Sequence, residues 1–186
     1  MNGRELLIGI TGGIAVYKTA ALVSRLVQAG AGVSVVMTET ATRFVGPVTF
    51  AALTGRPVAT SLFDDRQSLG AHIELAEKAD LMCVAPATAN FLAKAAHGQA
   101  DDLLATLYLC FAGPVLIAPA MNTVMWNKPA VQRNLQQLRD DGVHCVGPEE
   151  GWLSCRKTGL GRMASPDAIF AAVEQLLASG TPWRTS

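Results

Sequence analysis

Four polar or glycine-rich segments carry the side chains that can do chemistry in this sequence. The first contains Gly12 and Gly13, where backbone amides at the start of a helix can bind a phosphate. The glycine spacing is not GxGxxG, so it favours a mononucleotide over a dinucleotide, although Glu39 can imitate a ribose-binding acid. A tight turn without a ligand is the structural alternative.

The second and third segments each combine small residues with an amide side chain. Residues 86–90 present Thr88 and Asn90, which suit either a helix cap or a ligand contact. Residues 118–126 place Asn122 before a tryptophan, and this pair suits a carboxylate and a flat ring. Capping by Asn122 or Thr123 and burial of Trp126 are the simpler alternative for that segment.

The fourth segment, residues 155–166, starts at a cysteine and contains Arg162 among glycines. This composition predicts a flexible cationic stretch that can close over an anionic substrate, with a solvated loop as the alternative. Arg156 and Lys157 directly follow Cys155, so this thiol has a cationic setting in which it can be reactive.

His72 is the remaining candidate for proton transfer, although a lone histidine among apolar residues is more often structural. The sequence contains no HExxH, P-loop lysine motif or nucleophile elbow, which argues against a metalloprotease, an NTPase and an α/β-hydrolase. No cysteine spacing of the metal-binding type occurs, so no metal site is predicted. Cys83, Cys110 and Cys145 lie in apolar runs and are predicted to be core thiols.

Apolar runs that alternate with helical patterns must position these segments. They predict a doubly wound parallel sheet, an α/β fold of the Rossmann-like, flavodoxin-type three-layer sandwich. The predicted strands are Glu5 to Thr11, Gly32 to Met37, Asp80 to Ala85, Pro114 to Ala118 and Val143 to Val146. The predicted helices are Ala15 to Ala29, Thr40 to Phe44, Pro47 to Leu53, Asn90 to Ala96, Asp102 to Phe111, Pro129 to Arg139 and Asp167 to Ala178. Ligands of such sheets bind beyond the carboxyl ends of the strands, where the loops of the chemical segments lie.

The composition limits the class of protein. The 186 residues are half apolar and predict one domain, residues 1–180, followed by a tail at 181–186. Because 15 basic residues balance 15 acidic ones, no net charge attracts nucleic acid or an anionic membrane. The apolar run from Leu6 to Ile10 is too short for a signal segment or membrane span, so the protein is expected in the cytoplasm. The low charge also predicts an oligomer.

Taken together, the segments resemble the family of homo-oligomeric flavin-containing cysteine decarboxylases, and most of all its members that act on 4'-phosphopantothenoylcysteine. The resemblance runs from Leu6 to Pro166 in the expected order. Its most specific elements are His72-Ile73-Glu74-Leu75, Pro86 to Asn90, Pro119 to Trp126, and Cys-x3-Gly-x-Gly-x-Met from Cys155 to Met163.

The resemblance implies an FMN-dependent decarboxylation of 4'-phosphopantothenoylcysteine to 4'-phosphopantetheine, a step of coenzyme A synthesis. In this reaction FMN oxidises the thiol-bearing carbon and so prepares loss of the carboxylate. His72 would help to remove a proton, Asn122, with Met121 and Arg162, would bind the substrate, and Cys155 would protonate the resulting enethiolate. The residues that would surround FMN are Gly12, Gly13, Ile14, Thr38, Thr40, Thr88, Ala89, Asn90 and Ala120.

The same resemblance implies a trimer, or a dodecamer built from trimers, in which His72 approaches the flavin of a neighbouring subunit. One departure concerns the substrate, since the family usually has Gly-Asp where this chain has Arg156-Lys157. The alternatives are a flavin prenyltransferase, a flavin-dependent cysteine decarboxylase for a peptide or another small thiol, and a non-enzymatic flavoprotein. The ligase domain that follows the decarboxylase domain in many bacterial relatives is not expected in this chain, and a separate ligase would then be required.

Overall fold

A five-stranded parallel sheet with strand order β2-β1-β3-β4-β5 forms the centre of the computed structural model, which describes residues 1–62 and 71–179. This order is that of a flavodoxin-type doubly wound sheet, so the predicted fold class is confirmed. The strands are β1 (Glu5–Ile10), β2 (Gly32–Met37), β3 (Leu81–Ala87), β4 (Val115–Pro119) and β5 (His144–Cys145).

The strands read as continuous apolar runs because helices cover both faces of the sheet. Every residue of β3 and β4 is buried, and five of the six residues of β1 are buried. Alternate residues of β1 face opposite sides, so Ile8 belongs to one core cluster while Leu7 belongs to the other. Two apolar layers of similar extent therefore hold the sheet between the helices.

The helices begin and end at the residues that capping chemistry favours. Pro47 and Pro166 stand at the first positions of two helices, and Gly55 ends one of them with a positive φ. The helices are α1 (Val16–Gln28), α2 (Glu39–Thr42), α3 (Pro47–Thr54), α4 (Ala71–Lys78), α5 (Ala89–Ala96), α6 (Leu103–Cys110), α7 (Thr123–Trp126), α8 (Pro129–Asp140) and α9 (Pro166–Ala178).

Four elements were not predicted. Strands β6 (Glu149–Trp152) and β7 (Thr158–Arg162) form an antiparallel hairpin, so the stretch predicted as a flexible cationic loop is partly a strand. Its glycines hide the alternation that marks a strand. Helix α7 has only four residues, and α4 is short and highly charged, so neither gives a clear helical period.

The cysteines differ from the prediction that three of them are core thiols. Cys83 is fully buried in β3, and burial raises its pKa to about 12. Cys145 is only partly buried, however, and Cys110 is exposed because it lies at the last position of α6. An apolar run that ends a helix can thus carry its last side chain into solvent.

Within residues 1–62 and 71–179, none of the helices combines the length and the apolarity that a membrane span requires. The predicted tail, residues 181–186, lies outside the described part of the chain.

Candidate active site

A cavity of about 1040 Å³ opens at the carboxyl ends of the parallel strands. The loops after β1, β2, β3 and β4 form its floor and walls, and the β6–β7 hairpin covers one side. This is the edge of a doubly wound sheet where ligands bind. Its volume is at the upper end of the range for cofactor and substrate pockets.

Most of the site residues predicted from the sequence line this cavity. Those that line it are Gly12, Gly13, Ile14, Thr38, Thr40, Thr88, Ala89, Asn90, Ala120, Met121, Asn122 and Arg162. Cys155 lies next to the lining residue Ser154 but is itself exposed at the end of the hairpin. His72 lies in the first turn of α4, and its side chain is outside the described part of the structure.

The loop between β1 and α1 offers backbone amides rather than side chains. Helix α1 has no side-chain cap and no acidic residue in its first turn, so its positive end is available to an anion. A β-carbon at Gly12 would collide with the side chain of Thr40, which shows how closely this loop packs against α2. The arrangement suits a single phosphate at the helix start.

Hydrogen bonds join this loop to the one after β3. The hydroxyl of Thr11 donates to the carbonyl of Pro86 at 2.6 Å and accepts from the backbone N–H of Thr88 at 3.0 Å. Thr11 is almost fully buried, so both bonds lie in a low-dielectric setting. The two loops therefore form one rigid floor for the cavity.

Capping and cavity lining coincide at three residues. The side-chain oxygens of Thr38, Thr88 and Asn122 each accept the backbone N–H three residues further on, at 3.3, 3.5 and 2.8 Å. The capping alternative is therefore correct, but it leaves the lining role intact. At Asn122 it orients the amide, because Oδ1 receives the Met125 N–H and Nδ2 remains the group that can donate to a ligand.

The hairpin carries Cys155 in a tight connection between its strands. The N–H of Leu153 donates to the carbonyl of Lys157, and that of Arg156 donates to the carbonyl of Leu153, both at 2.9 Å. Cys155 is a free, exposed thiol within this turn. The backbone therefore holds the sulfur at one end of the hairpin, beside the cavity.

Arg156 adopts a left-handed backbone conformation with a φ of 61°, at the position where the resemblance expects glycine. A side chain there costs roughly 1–2 kcal/mol relative to ordinary conformations. We expect Arg156→Gly to raise the free energy of unfolding by about 1 kcal/mol, once the extra chain entropy of glycine is subtracted. Arg156→Ala removes the same charge without relieving the backbone, so equal stabilisation by both variants in urea unfolding would refute this explanation.

Gly161 attaches the hairpin to the loop after β4. Its carbonyl accepts the N–H of Met121 at 3.0 Å, its φ is 142°, and a β-carbon would collide with the Met121 carbonyl. We expect Gly161→Ala to destabilise the protein by more than about 1 kcal/mol and to displace the hairpin, because both conformation and contact forbid a side chain. Proteolysis should cut the hairpin faster in this variant than in Gly98→Ala. Equal cutting rates would contradict the expectation, since Gly98 also has a positive φ but has open space around it.

Some residues that line the cavity were not predicted from the sequence. Lys18 is the third residue of α1, and Trp152 ends β6 with nearly two thirds of its surface exposed. Lys18 could have been found from its place one turn after the glycine loop, since the first turn of that helix must face the same cavity. The pKa of Lys18 is lowered by partial burial and, further, by the positive charge of Arg162, while Glu149 opposes the shift.

Comparison with known proteins assigns this chain to a family. The family model described as Flavoprotein matches residues 1–178, almost the whole chain. The chain belongs to the Flavoprotein family. The expected resemblance to a flavin-containing family is thereby confirmed.

Curated proteins that are similar to this chain include bifunctional proteins of coenzyme A biosynthesis. The chain is 49% identical over 182 residues to the CoaBC protein of Bacillus subtilis. This match covers 97% of the chain but only 45% of that relative. It thus spans about half the length of the curated relatives that it matches.

Solved structures of similar length also match. A cysteine-to-serine mutant of PPC decarboxylase complexed with pantothenoylaminoethenethiol has a TM-score of 0.82 at 29% identity, covering 92% of this chain and 97% of that chain. The FMN-dependent cysteine decarboxylase SpaF has a TM-score of 0.81 at 37% identity, covering 95% and 97%. The similarity to these structures therefore extends over more than nine tenths of this chain.

Proposed function

We propose that this chain is an FMN-dependent carboxy-lyase that converts 4'-phosphopantothenoylcysteine to 4'-phosphopantetheine in coenzyme A biosynthesis. The observation that carries the proposal is the cavity itself, where a phosphate-binding loop, an oriented amide and a cysteine-bearing hairpin meet. The CoaBC relatives and the PPC decarboxylase structure support this substrate.

The residues of the cavity fit FMN. The amides of residues 12–14 and the uncapped start of α1 would hold its single phosphate, with the hydroxyls of Thr38 and Thr40 nearby. Small residues such as Ala89 and Ala120 leave room for a flat ring. Bound FMN would supply the two-electron oxidation of the thiol-bearing carbon, which makes loss of the neighbouring carboxylate possible, and after protonation it would return the two electrons as a hydride so that the thiol product forms.

The chain's own residues would bind the substrate and move its protons. The Asn122 Nδ2 group would donate to the substrate carboxylate, in an orientation that the bond from the Met125 N–H to Oδ1 maintains. His72 would accept a proton from the substrate at the oxidation step. Cys155 would give its Sγ proton to the enethiolate carbon after carbon dioxide has left, and the hairpin would limit access of water.

The proposal also includes the oligomeric assembly of the protein and its location in the cell. We expect a trimer or a dodecamer built from trimers, acting in the cytoplasm. Ile14 and Tyr17 at the cavity mouth are more than half exposed, as are Val124 and Trp152, which supports burial by a neighbouring subunit. Light scattering of the flavin-loaded protein measures the assembly directly, and a stable monomer would contradict it.

A second candidate is decarboxylation of a peptide with a carboxyl-terminal cysteine. The FMN-dependent cysteine decarboxylase SpaF is 37% identical to this chain, against 29% for the PPC decarboxylase structure and 49% for the CoaBC protein of Bacillus subtilis. Arg156 and Lys157 also change the turn beside Cys155 relative to the expected Gly-Asp. Both candidate reactions are FMN-dependent decarboxylations of a cysteine carboxylate. Their substrates differ in the group that is attached to this cysteine.

One set of assays separates the candidates. Purified protein should release FMN on denaturation. Carbon dioxide release should be compared between 4'-phosphopantothenoylcysteine and a peptide ending in cysteine, and prenylation of the flavin should be measured with dimethylallyl phosphate and reduced FMN. Turnover of the first substrate alone supports the proposal. Turnover of the peptide alone supports the second candidate, whereas prenylation of the flavin would refute both.

A further inference from the structure

Two oppositely charged residues join the strands of the β6–β7 hairpin at its open end. Arg162, the last residue of β7, donates from Nη2 to Oε2 of Glu149, the first residue of β6, at 3.0 Å. The other carboxylate oxygen, Glu149 Oε1, accepts the N–H of Ser165 at 3.1 Å. Because Ser165 is the N-cap of α9, the Glu149–Arg162 ion pair ties the base of the hairpin to the body of the fold.

A β-bulge at Gly161 decides which face of the hairpin Arg162 occupies. In the ladder, Glu149 is opposite Arg162, and the next residue of β6 is opposite Leu160, so Gly161 is an extra residue of β7. Without the bulge, strand alternation would place Arg162 on the same face as Leu160, which is exposed. The bulge turns Arg162 to the opposite, inner face, and there it lines the cavity.

Glycines on the inner face let the hairpin lie close to the body of the fold. A β-carbon at Gly151 would lie 2.7 Å from the guanidinium carbon of Arg162, so the Arg162 side chain crosses the hairpin at this point. A β-carbon at Gly159 would lie 2.5 Å from the hydroxyl oxygen of Thr123, at the start of α7. The outer face carries the exposed Trp152 instead. The inner face is therefore the one that attaches the hairpin.

The hairpin has two separate attachments near its base. The Gly161 carbonyl accepts the Met121 N–H at 3.0 Å, and the Glu149–Arg162 ion pair holds the end of the ladder. A single hydrogen bond allows rotation about itself, and the second attachment removes this freedom. Since a strand rises about 3.3 Å per residue, the turn lies roughly 13 Å from the ion pair, and a rotation of about 10° would move it by roughly 2 Å.

We propose that Glu149 and Arg162 are positioning residues for Cys155, an inference that rests on the proposed function. Their ion pair fixes the angle of the hairpin, and so the place from which the Cys155 thiol gives its proton to the enethiolate carbon. A displacement of about 1 Å costs up to roughly a hundredfold in rate, so this protonation depends strongly on the angle. Oxidation and decarboxylation do not use the thiol and do not depend on it.

The first experiment compares Glu149→Gln with Glu150→Gln in a single turnover of the flavin-loaded protein. Glutamine keeps an acceptor for the Ser165 N–H but removes the charge that pairs with Arg162, whereas Glu150 is exposed. With 4'-phosphopantothenoylcysteine, the flavin should bleach at the wild-type rate in both variants. Its colour should return about fivefold more slowly in Glu149→Gln, the most that a partly exposed ion pair contributes, and at the wild-type rate in Glu150→Gln.

The two phases separate positioning from a loss of stability. Partial unfolding of Glu149→Gln would lower the amplitude of both phases and leave their rates unchanged. Slower bleaching in this variant, or an unchanged return of colour, would overturn the proposal.

A double-mutant cycle with Arg162→Gln tests the alternative that Arg162 binds the substrate directly. If Arg162 acts through Glu149, the double variant should regain its flavin colour no more slowly than either single variant. Arg162→Lys keeps a cation for Glu149 and should be less impaired than Arg162→Gln. If Arg162→Gln instead needs more substrate for bleaching while Glu149→Gln does not, Arg162 contacts the substrate and the proposal is wrong.

Trypsin tests the ion pair without the reaction, because Arg156 and Lys157 in the turn are cleavage sites. Cutting after these residues should be about twofold to fivefold faster in flavin-loaded Glu149→Gln than in Glu150→Gln, since a less restrained hairpin opens more often. Equal cutting rates would refute the restraint. If wild-type flavin never bleaches with 4'-phosphopantothenoylcysteine, the proposed function is wrong, and the cutting rates still decide whether the ion pair restrains the hairpin.

Discussion

Replacing Cys155 with serine is expected to stop the reaction after carbon dioxide has left and before the final product forms. The thiol is proposed to act only as the last proton donor, so oxidation and decarboxylation do not need it. A serine hydroxyl is a much weaker acid than a thiol. The turn that holds residue 155 depends on backbone hydrogen bonds between its neighbours, so the substitution leaves the hairpin in place.

Steady-state turnover of Cys155→Ser should fall roughly 10²- to 10⁴-fold, the contribution of a positioned general acid. In a single turnover, the flavin absorbance should bleach and stay bleached. Mass spectrometry should find a product that is two hydrogens short of 4'-phosphopantetheine. These two readouts separate a late proton donor from a residue that merely binds the substrate.

Cys110→Ser provides the matched control, because Cys110 is also a free, exposed thiol but lies at the end of α6. It should keep wild-type turnover. Full conversion to 4'-phosphopantetheine by Cys155→Ser would show that this thiol takes no part in the reaction. A flavin that fails to bleach would assign Cys155 to substrate binding or to the first oxidation.

Asn122→Asp is expected to abolish most of the activity while leaving the fold intact. Aspartate caps helices as well as asparagine does, so the hydrogen bond from the Met125 N–H survives the change. The donor Nδ2 becomes a second carboxylate oxygen, which repels the substrate carboxylate and donates no hydrogen bond. Loss of one such oriented donor alone costs roughly 10²- to 10³-fold in kcat.

Asn127→Asp is the matched control for this substitution. Asn127 is exposed at the end of α7, five residues further along the chain, and does not line the cavity. Carbon dioxide release and urea unfolding should be measured on both variants. Near-wild-type activity in Asn122→Asp would remove this residue from the site, and a large loss of stability would instead make its cap the main contribution.

The regular elements of the sheet were predictable from local patterns. Apart from Glu5 at the start of β1 and Ser34 in β2, the runs at β1, β2 and β4 are apolar, and such runs between helical patterns are typical of a parallel sheet buried on both faces. Helices α1, α8 and α9 lie within two residues of their predicted bounds, since their apolar residues repeat with the helical period. The hairpin, α4 and α7 were missed because short or glycine-rich segments have no clear period.

The candidate site was also predictable only in part from local residue patterns. The residue types at Gly12, Thr88 and Asn122 indicated ligand-binding loops because glycine, hydroxyl and amide groups have a restricted set of uses after a strand. The sequence also left capping and ligand contact as alternatives for Thr88 and Asn122. The structure shows that each side chain caps a helix and lines the cavity at once.

The sequence by itself therefore determined most of the strands and helices in their order along the chain, and the loops that carry chemistry, because both follow from local residue patterns. Only the tertiary structure decided which way the Asn122 amide faces, that Lys18 and Arg162 line the same cavity, and that Cys155 lies on a hairpin. The places of Lys18 and of the hairpin depend on contacts between residues far apart in the chain, such as Lys18 with Met163 and Met121 with Gly161. Local periodicity carries no information about such contacts, since packing of the whole chain creates them.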